Sequence, residues 1–264
     1  MVSVIEFIRE YDLIRPDDRV LVAVSGGKDS TVLLFKLQEF FNVEAVTIDP
    51  HIPEYSDINK KNILDFCSRL GVKLHVVSLK EKTGFTLQEI KERHPNLTYC
   101  SICGILKRYY LNQFAKNYDV VATGHNCDDC AQSILMNMMR GNMELNARMG
   151  PISGVREQEG FTKRVKPFFM TMEKDIKAFS KEHSFPVHYG SCPFSREAYR
   201  KKVRNLLWDY EEKNPGTMKN IVRQFLLFYP ILKEKYQGSP GICKRCKAPS
   251  NQDICSACRL LEKL

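Results

Sequence analysis

The chain has 264 residues, 43% of them hydrophobic, and a formal charge of +9 at neutral pH. That length suits one large α/β domain or a domain with an appendage, and the composition excludes disordered and collagen-like classes. No apolar run approaches a membrane span, and Met1-Val2-Ser3-Val4-Ile5-Glu6-Phe7 lacks the basic and long apolar segments of a secretory leader; a cytoplasmic protein without membrane association is expected.

Helical periodicity over 4–13 precedes a first strand at 19–24. Val24-Ser25-Gly26-Gly27-Lys28-Asp29-Ser30 follows directly on Arg19-Val20-Leu21-Val22-Ala23. An apolar-periodic helix at 29–41 comes next. A buried strand that breaks into a Gly-Gly turn ahead of a helix is a phosphate cradle. The glycines let the backbone approach an anion, and the helix N-terminus offers unpaired N–H groups and the positive end of its dipole. Lys28 adds a point charge, and Ser25 and Ser30 add hydroxyls. The spacing is not that of a Walker A loop. Ser25, Gly26, Gly27, Lys28, Asp29 and Ser30 are therefore the candidate phosphate-binding residues.

Strands at 43–48, 72–79 and 119–123 alternate with helices at 56–70 and about 102–116, and Gly71 falls where a helix C-cap belongs. This alternation predicts an α/β fold with a doubly wound parallel sheet and a ligand at the carboxyl ends of its strands. The glycine loop and Asp49 both fall at such ends. So does Gly124-His125-Asn126-Cys127-Asp128-Asp129, ahead of a helix that includes Ala131-Gln132-Ser133-Ile134-Leu135. Asp128 and Asp129 are placed to hold magnesium on a triphosphate; capping of that helix is the structural alternative. His125 is either an acid–base group or a satisfied strand-end histidine.

The stretch 142–167 is less regular. Helices follow near 172–183, 195–213 and 217–235, with Leu206, Leu207, Trp208, Phe225, Leu226, Phe228 and Ile231 expected in the core. Between Ser195 and Lys247 there are thirteen Lys/Arg against five Asp/Glu, an asymmetry that suits nucleic acid or a solvated basic helix face. Gln237-Gly238-Ser239-Pro240-Gly241 has the composition of a linker, and 242–264 is a small cysteine module.

Ten cysteines in a reducing compartment point to metal or redox sites rather than disulfides. Cys100 and Cys103 open a helix that carries Lys107 and Arg108, and Cys192 stands in Gly190-Ser191-Cys192-Pro193. Two thiolates at a helix N-terminus and a third from a distant loop can hold a metal or cluster; alone, Cys192 could be a small buried hydrophobe. Cys243, Cys246, Cys255 and Cys258 form a four-thiolate set suited to structural Zn2+. Cys67 lies in a periodic helix and is expected in the core.

Ser25-Gly26-Gly27-Lys28-Asp29-Ser30 matches the Ser-Gly-Gly-x-Asp-Ser signature of the PP-loop ATP pyrophosphatases. With Cys-x-x-Cys some seventy residues on, Gly-His-Asn-x-Asp-Asp and a later Cys-Pro, the chain resembles the tRNA 2-thiolation branch of that family over about residues 1–260. This branch includes TtcA-like cytidine and TtuA/NcsA-like uridine enzymes, and the C-terminal cysteine module looks like the uridine group. The resemblance implies a HUP-like PP-loop domain at 1–167, a helical, basic tRNA-binding extension at 168–236 that completes the catalytic site, and a zinc ribbon at 242–258. It implies ATP, Mg2+ and a [4Fe-4S] cluster on Cys100, Cys103 and Cys192, whose fourth iron can carry exogenous sulfide. The implied activity forms 2-thiouridine by adenylating the base C2 carbonyl and replacing its oxygen with sulfur. Lys28, Asp29 and Asp128 would act beside the three cysteines, and Asp49 and Gly124 would line the nucleotide site. Partners would be tRNA, sulfide or a thiocarboxylated sulfur-carrier protein, and a second copy of the chain.

A TtcA-like reaction at cytidine, a PP-loop adenylation followed by amine attack, and a non-catalytic Fe–S and nucleotide-binding RNA regulator are the alternatives. The amine reaction leaves Cys100, Cys103 and Cys192 without a role. Two departures from the uridine branch stand out. There is no cysteine before Cys67, where relatives often carry a zinc finger, and Cys127 and Cys130 replace the usual Leu and Glu. Those two can be a fourth cluster ligand, a sulfur relay or packing residues.

Overall fold

A computed structural model describes residues 4–153, 162–195, 199–237 and 241–264. A short helix, α1 (Val4–Glu10), leads into β1 (Val20–Ala23), and after the glycine loop comes α2 (Lys28–Gln38). Val20, Leu21 and Val22 are almost wholly buried, as the continuous β-branched and leucine run demands of a strand covered on both faces. The chain continues through β2 (Val43–Asp49), α3 (Tyr55–Leu70) and β3 (Leu74–Ser78). Gly71 closes α3 in the left-handed region at φ 65°, its N–H bonding back to the Cys67 and Ser68 carbonyls.

Three helices come next: α4 (Leu79–Thr83), α5 (Leu87–Arg93) and α6 (Tyr99–Phe114). Then follow β4 (Val120–Thr123), α7 (Cys127–Met139), α8 (Met143–Ala147), β5 (Lys163–Val165), α9 (Glu173–Glu182), α10 (Tyr199–Lys213) and α11 (Thr217–Lys235). The C-terminal module consists of β6 (Gly241–Ile242), β7 (Pro249–Ser250) and α12 (Ser256–Leu261), its two strands paired antiparallel.

The five-stranded sheet is parallel throughout, in the order β3-β2-β1-β4-β5. Val20 lies in register with Val43 on one side and Val120 on the other. The chain therefore leaves β1 in one direction and later returns to its opposite flank. That reversal opens a crevice at the carboxyl ends of β1 and β4, where the glycine loop and the 124–129 segment emerge.

The doubly wound sheet is as the sequence predicts, with differences in its shorter pieces. The third strand is five residues, not the eight of 72–79. β5 lies inside the stretch read as irregular; three residues with two charged side chains give no period to detect. The brief α4, α5 and α8 escape for the same reason. Of the expected linker, 238–240 lie outside the described residues, as do 196–198 of the helix expected at 195–213.

The main core runs from β1, α2, β4 and α7 into Val203 and Leu207 of α10 and Met218, Val222 and Phe225 of α11. One expectation fails here. Leu207 and Phe225 are buried, but Leu206, Phe228 and Ile231 are 58–59% exposed and Trp208 39%. α10 and α11 bury one stripe against α7 and leave Leu206, Phe228 and Ile231 outward, whereas the Trp208 ring turns to the crevice, 3.9 Å from the Arg204 guanidinium. Among the described residues no helix is long and apolar enough to cross a membrane.

Candidate active site

The glycine loop is shaped by close approach. Gly26 sits at φ +78°, and a Cβ there would lie 2.7 Å from both Cβ and the carbonyl oxygen of Asn59 on α3. Only glycine satisfies both the conformation and the contact. Ser25 N–H donates to Ser30 Oγ at 3.0 Å, and Ser30 Oγ and Thr31 Oγ1 donate to the Gly27 carbonyl at 3.1 and 3.0 Å. No side chain caps α2 at Gly27, so its first-turn N–H groups face the loop as an anion site. Gly124 has a structural duty too: a Cβ would come within 2.9 Å of Ser30 N and 3.0 Å of the Asp29 carbonyl carbon. Its smallness lets the exit of β4 lie against the start of α2.

The charges around this loop come from four helices. Lys28 Nζ lies 2.9 Å from Asp29 Oδ2 and 2.7 Å from Glu173 Oε1, at the start of α9. Asn126 donates to Asp29 Oδ1 at 3.0 Å and, with Asp129, forms the capping box of α7. Asp128 Oδ2 accepts the Glu173 N–H at 2.8 Å. From α10, Arg204 reaches Glu173 at 3.3 Å and Arg200 reaches Asp129 at 3.5 Å.

Burial raises the pKa of Asp29, Asp128 and Asp129. For Lys28, burial pulls downward, but Asp29 and Glu173 outweigh it and leave the ammonium raised. Asp129 thus caps the helix, as the structural alternative held, and both acids also line the site. Asp128 is buried and the Asp129 side chain about a third exposed; two carboxylates lining one cavity are an oxygen donor set that fits a magnesium ion, whose charge would favour their ionised forms.

Two cavities open here. The larger, about 630 Å3, is lined by Ser25, Gly27, Lys28, Asp29, Asp128 and Asp129 together with Cys192. The smaller, about 330 Å3, lies over the ends of β1, β2 and β4 between Val24, Val46, Ile48 and Leu111. It also contains Asp49, His125, Lys107, Arg108 and Arg164. Asp49 is buried; burial opposes its ionisation, but the His51 N–H at 2.8 Å and Lys60 at 3.1 Å hold it below the usual carboxylate range. His125 Nδ1 is 3.0 Å from Thr123 Oγ1.

The cysteines divide into separate sets. Cys100 is exposed, and Cys103 and Cys192 are half-buried. The Cys100 thiol points to the Phe194 carbonyl at 3.5 Å, and Tyr99 stacks on Phe194 at 4.1 Å. These contacts tie the 192–194 turn to the first turn of α6. Burial raises the pKa of Cys100 and Cys103, and the charge of Cys192 adds to each rise. Cys100 touches the turn that carries Cys192, and Cys103 and Cys192 pack against one apolar cluster; three thiols gathered in this way are a donor set that fits an iron–sulfur cluster.

Cys127 and Cys130 are 0% and 3% exposed in the main core, whereas Cys103 and Cys192 belong to a second apolar cluster under α6. Burial pushes both thiols up, Cys130 to about 12. They are packing residues, apart from the α6 thiols. Cys67 is also core, its thiol pushed up to about 11 by burial. The ligand atoms of Cys243, Cys246, Cys255 and Cys258 all lie within 4.8 Å of one another, and Cys243 and Cys255 sulfurs accept backbone N–H groups at 3.3 Å. That arrangement can hold a tetrahedral ion.

Sequence reasoning did not identify Tyr55, Glu173, Arg200 and Arg204. An acid or arginine in a helical turn carries no motif, and Glu173 meets Lys28 across 145 residues of chain.

A family model described as a PP-loop domain matches residues 3–209. The chain is 39% identical over 259 residues to the tRNA-5-methyluridine(54) 2-sulfurtransferase of Pyrococcus horikoshii, covering 96% of this chain and 81% of that one. It is 30% identical over 262 residues to the tRNA 2-thiolation protein NcsA of Haloferax volcanii, covering 92% and 82%. Among solved structures, the U34-tRNA thiolase NcsA from Methanococcus maripaludis with its [4Fe-4S] cluster superposes with a TM-score of 0.82 at 26% identity, covering 99% and 87%.

Proposed function

The chain belongs to the PP-loop family, among its tRNA 2-thiolation members, and from that premise we propose that it is a cytoplasmic, ATP-dependent tRNA-uridine 2-sulfurtransferase. The observation that carries this reading is one cavity that joins the anion-binding loop and Asp128–Asp129 to Cys192. It offers ATP activation and a thiol-bound sulfur source a common space.

The C2 oxygen of uracil is a poor leaving group, so it must be activated before sulfur can replace it. The oxygen attacks the α-phosphorus of ATP, the α–β P–O bond breaks, and pyrophosphate leaves. First-turn N–H groups of α2, with Ser25, Lys28 and Ser30, hold the phosphates as charge shifts toward the leaving group. Asp128 and Asp129 would hold Mg2+ there, while Asp29 and Glu173 aim the Lys28 ammonium. The apolar walls of the smaller cavity suit adenine, with Asp49 at their polar end. Cys100, Cys103 and Cys192 would hold a [4Fe-4S] cluster, which when bound supplies a site for exogenous sulfide. Sulfur then adds at C2 and AMP departs with the former carbonyl oxygen. Free sulfide satisfies that balance directly; a carrier-protein thiocarboxylate satisfies it once water cleaves its acyl–sulfur bond, which releases the carrier as a carboxylate and leaves the sulfur at the sulfide level.

The remaining assignments follow the division into 1–167, 168–236 and 242–258. The excess charge of 195–247 binds tRNA phosphates through exposed lysines such as Lys201 and Lys202, since Arg200 and Arg204 are turned inward. The four C-terminal cysteines hold structural Zn2+, and the outward apolar stripe of α11 pairs two copies.

The test is anaerobic incubation of iron-loaded protein with ATP, sulfide and unmodified tRNA, then mass spectrometry of nucleosides mapped along the tRNA. 2-Thiouridine is expected. 2-Thiocytidine would identify the cytidine reaction, and pyrophosphate without any thionucleoside another PP-loop reaction. A loaded protein that binds tRNA but turns over no ATP would be the regulator.

A further inference from the structure

Among the described residues, Ser25 and Tyr55 alone line both cavities. Ser25 belongs to the phosphate loop. Tyr55 opens α3 and has no place in any motif of the chain. Its surroundings are nonetheless those of a reaction centre. The ring packs beside the apolar cluster that contains Cys103 and Cys192. His188 meets it edge-on, 5.9 Å between centroids. Its backbone carbonyl accepts the Asn59 side-chain amide at 2.7 Å, and Asn59 is the residue that abuts Gly26. One turn of α3 thus stands between the phosphate loop and the thiols. The segment just before it holds two non-glycine residues at positive φ, His51 at 52° and Glu54 at 59°; His51 is fixed there by its N–H on Asp49 at 2.8 Å and its ring on Ser78 at 2.7 Å.

We propose that Tyr55 is the positioning residue for the target pyrimidine, its ring stacking on the splayed-out base where the nucleotide cavity meets the thiol-lined one. This rests on the sulfurtransferase reading above. Activation and sulfur addition occur at one carbon of that base, so it must reach ATP on one side and the sulfur source on the other within a few ångströms. A half-buried aromatic facing both spaces is the group that can grip a single-stranded base without a hydrogen-bond code.

The test compares Tyr55→Ala and Tyr55→Phe in the full-length, iron-loaded protein. Loss of one stacked base lowers affinity by about ten- to a hundredfold. Tyr55→Ala is expected to lose that much kcat/KM for tRNA while cluster absorption stays at the wild-type value and ATP affinity, to which the ring adds one wall of the smaller cavity, falls by less than about threefold. Tyr55→Phe stays within about threefold of wild type, since the ring is kept. Equilibrium binding of an unmodified tRNA transcript, with a non-hydrolysable ATP analogue present, reads the same stacking without turnover. Wild-type tRNA binding by Tyr55→Ala would overturn the proposal, as would a Tyr55→Phe defect equal to that of Tyr55→Ala. Loss of the cluster in Tyr55→Ala, or a fall in ATP affinity as large as the fall in tRNA binding, would overturn it too, by making the residue structural or part of the ATP site alone. A wild-type protein that thiolates no tRNA would defeat the sulfurtransferase reading instead, and the binding comparison would still decide the role of the ring.

Discussion

Gly26 and Gly124 show how single residues set this site. Each occupies a place where a Cβ would collide with backbone, at Asn59 and at Ser30 respectively, so their absence of side chain fixes the loop against α3 and α2. The loop was legible because its chemistry is contiguous: strand, Gly-Gly and helix start fall within one short stretch. Cys127 and Cys130 were not assignable by spacing, because Cys-x-x-Cys denotes a ligand pair or a helical core stripe equally well. Their burial beside Ala131 and Ile134 decides for the core. Cys127→Ala and Cys130→Ala are therefore expected to keep iron content and thiolation rate within about twofold, while each costs on the order of 1 kcal/mol of stability from lost packing. Iron and sulfide assay beside thermal unfolding measures both; loss of iron in either variant would return these thiols to the cluster.

The long amphipathic helices were legible because their period repeats over several turns, whereas α4, α5, α8 and β5 are shorter than the patterns that would reveal them. Contact between elements is a further step removed. The C-terminal module docks on α6: His94 Nε2 lies 3.0 Å from the Leu260 carbonyl, and Leu260 shares an apolar cluster with Ile90, Ile102, Leu106 and Cys103. So small a module has little core of its own, and metal binding there is folding free energy. If the four cysteines hold the proposed zinc, stripping it should undock α12 and loosen the helix that presents Cys100 and Cys103. Leu260→Ala, which spares all four thiols, should cost about 2–5 kcal/mol locally. Faster amide exchange in α6 and lower iron incorporation are expected in both cases, with ATP binding retained at the loop. Unchanged exchange in α6 would show the ribbon to be an independent appendage.

At the scale of the molecule, the reversal of strand order around β1 gathers the loop, the acid pair and the α9 terminus at one crevice, and α10 closes it with Arg200 and Arg204. The opposite side of this helical layer exposes Leu227, Phe228 and Ile231 on α11, at 66%, 58% and 59%. An apolar stripe of that kind marks an interaction surface. Phe228→Asp combined with Ile231→Asp should convert a dimer to monomer in sedimentation, with little effect on the fold because neither side chain is in the core. Wild-type protein that sediments as a monomer at micromolar concentration would remove the dimer from the reading.

By itself the sequence determined the parallel α/β class and the PP-loop family, and it singled out a candidate phosphate loop, an acid pair and the C-terminal cysteine set, because each is written in residues near one another along the chain. Only the tertiary structure decided which of these share a cavity, that Cys127 and Cys130 belong to the core, and that Glu173, Arg204 and Tyr55 belong to the site. Those outcomes depend on contacts across as many as 145 residues. Helix packing and strand order create such contacts, and no local pattern encodes them.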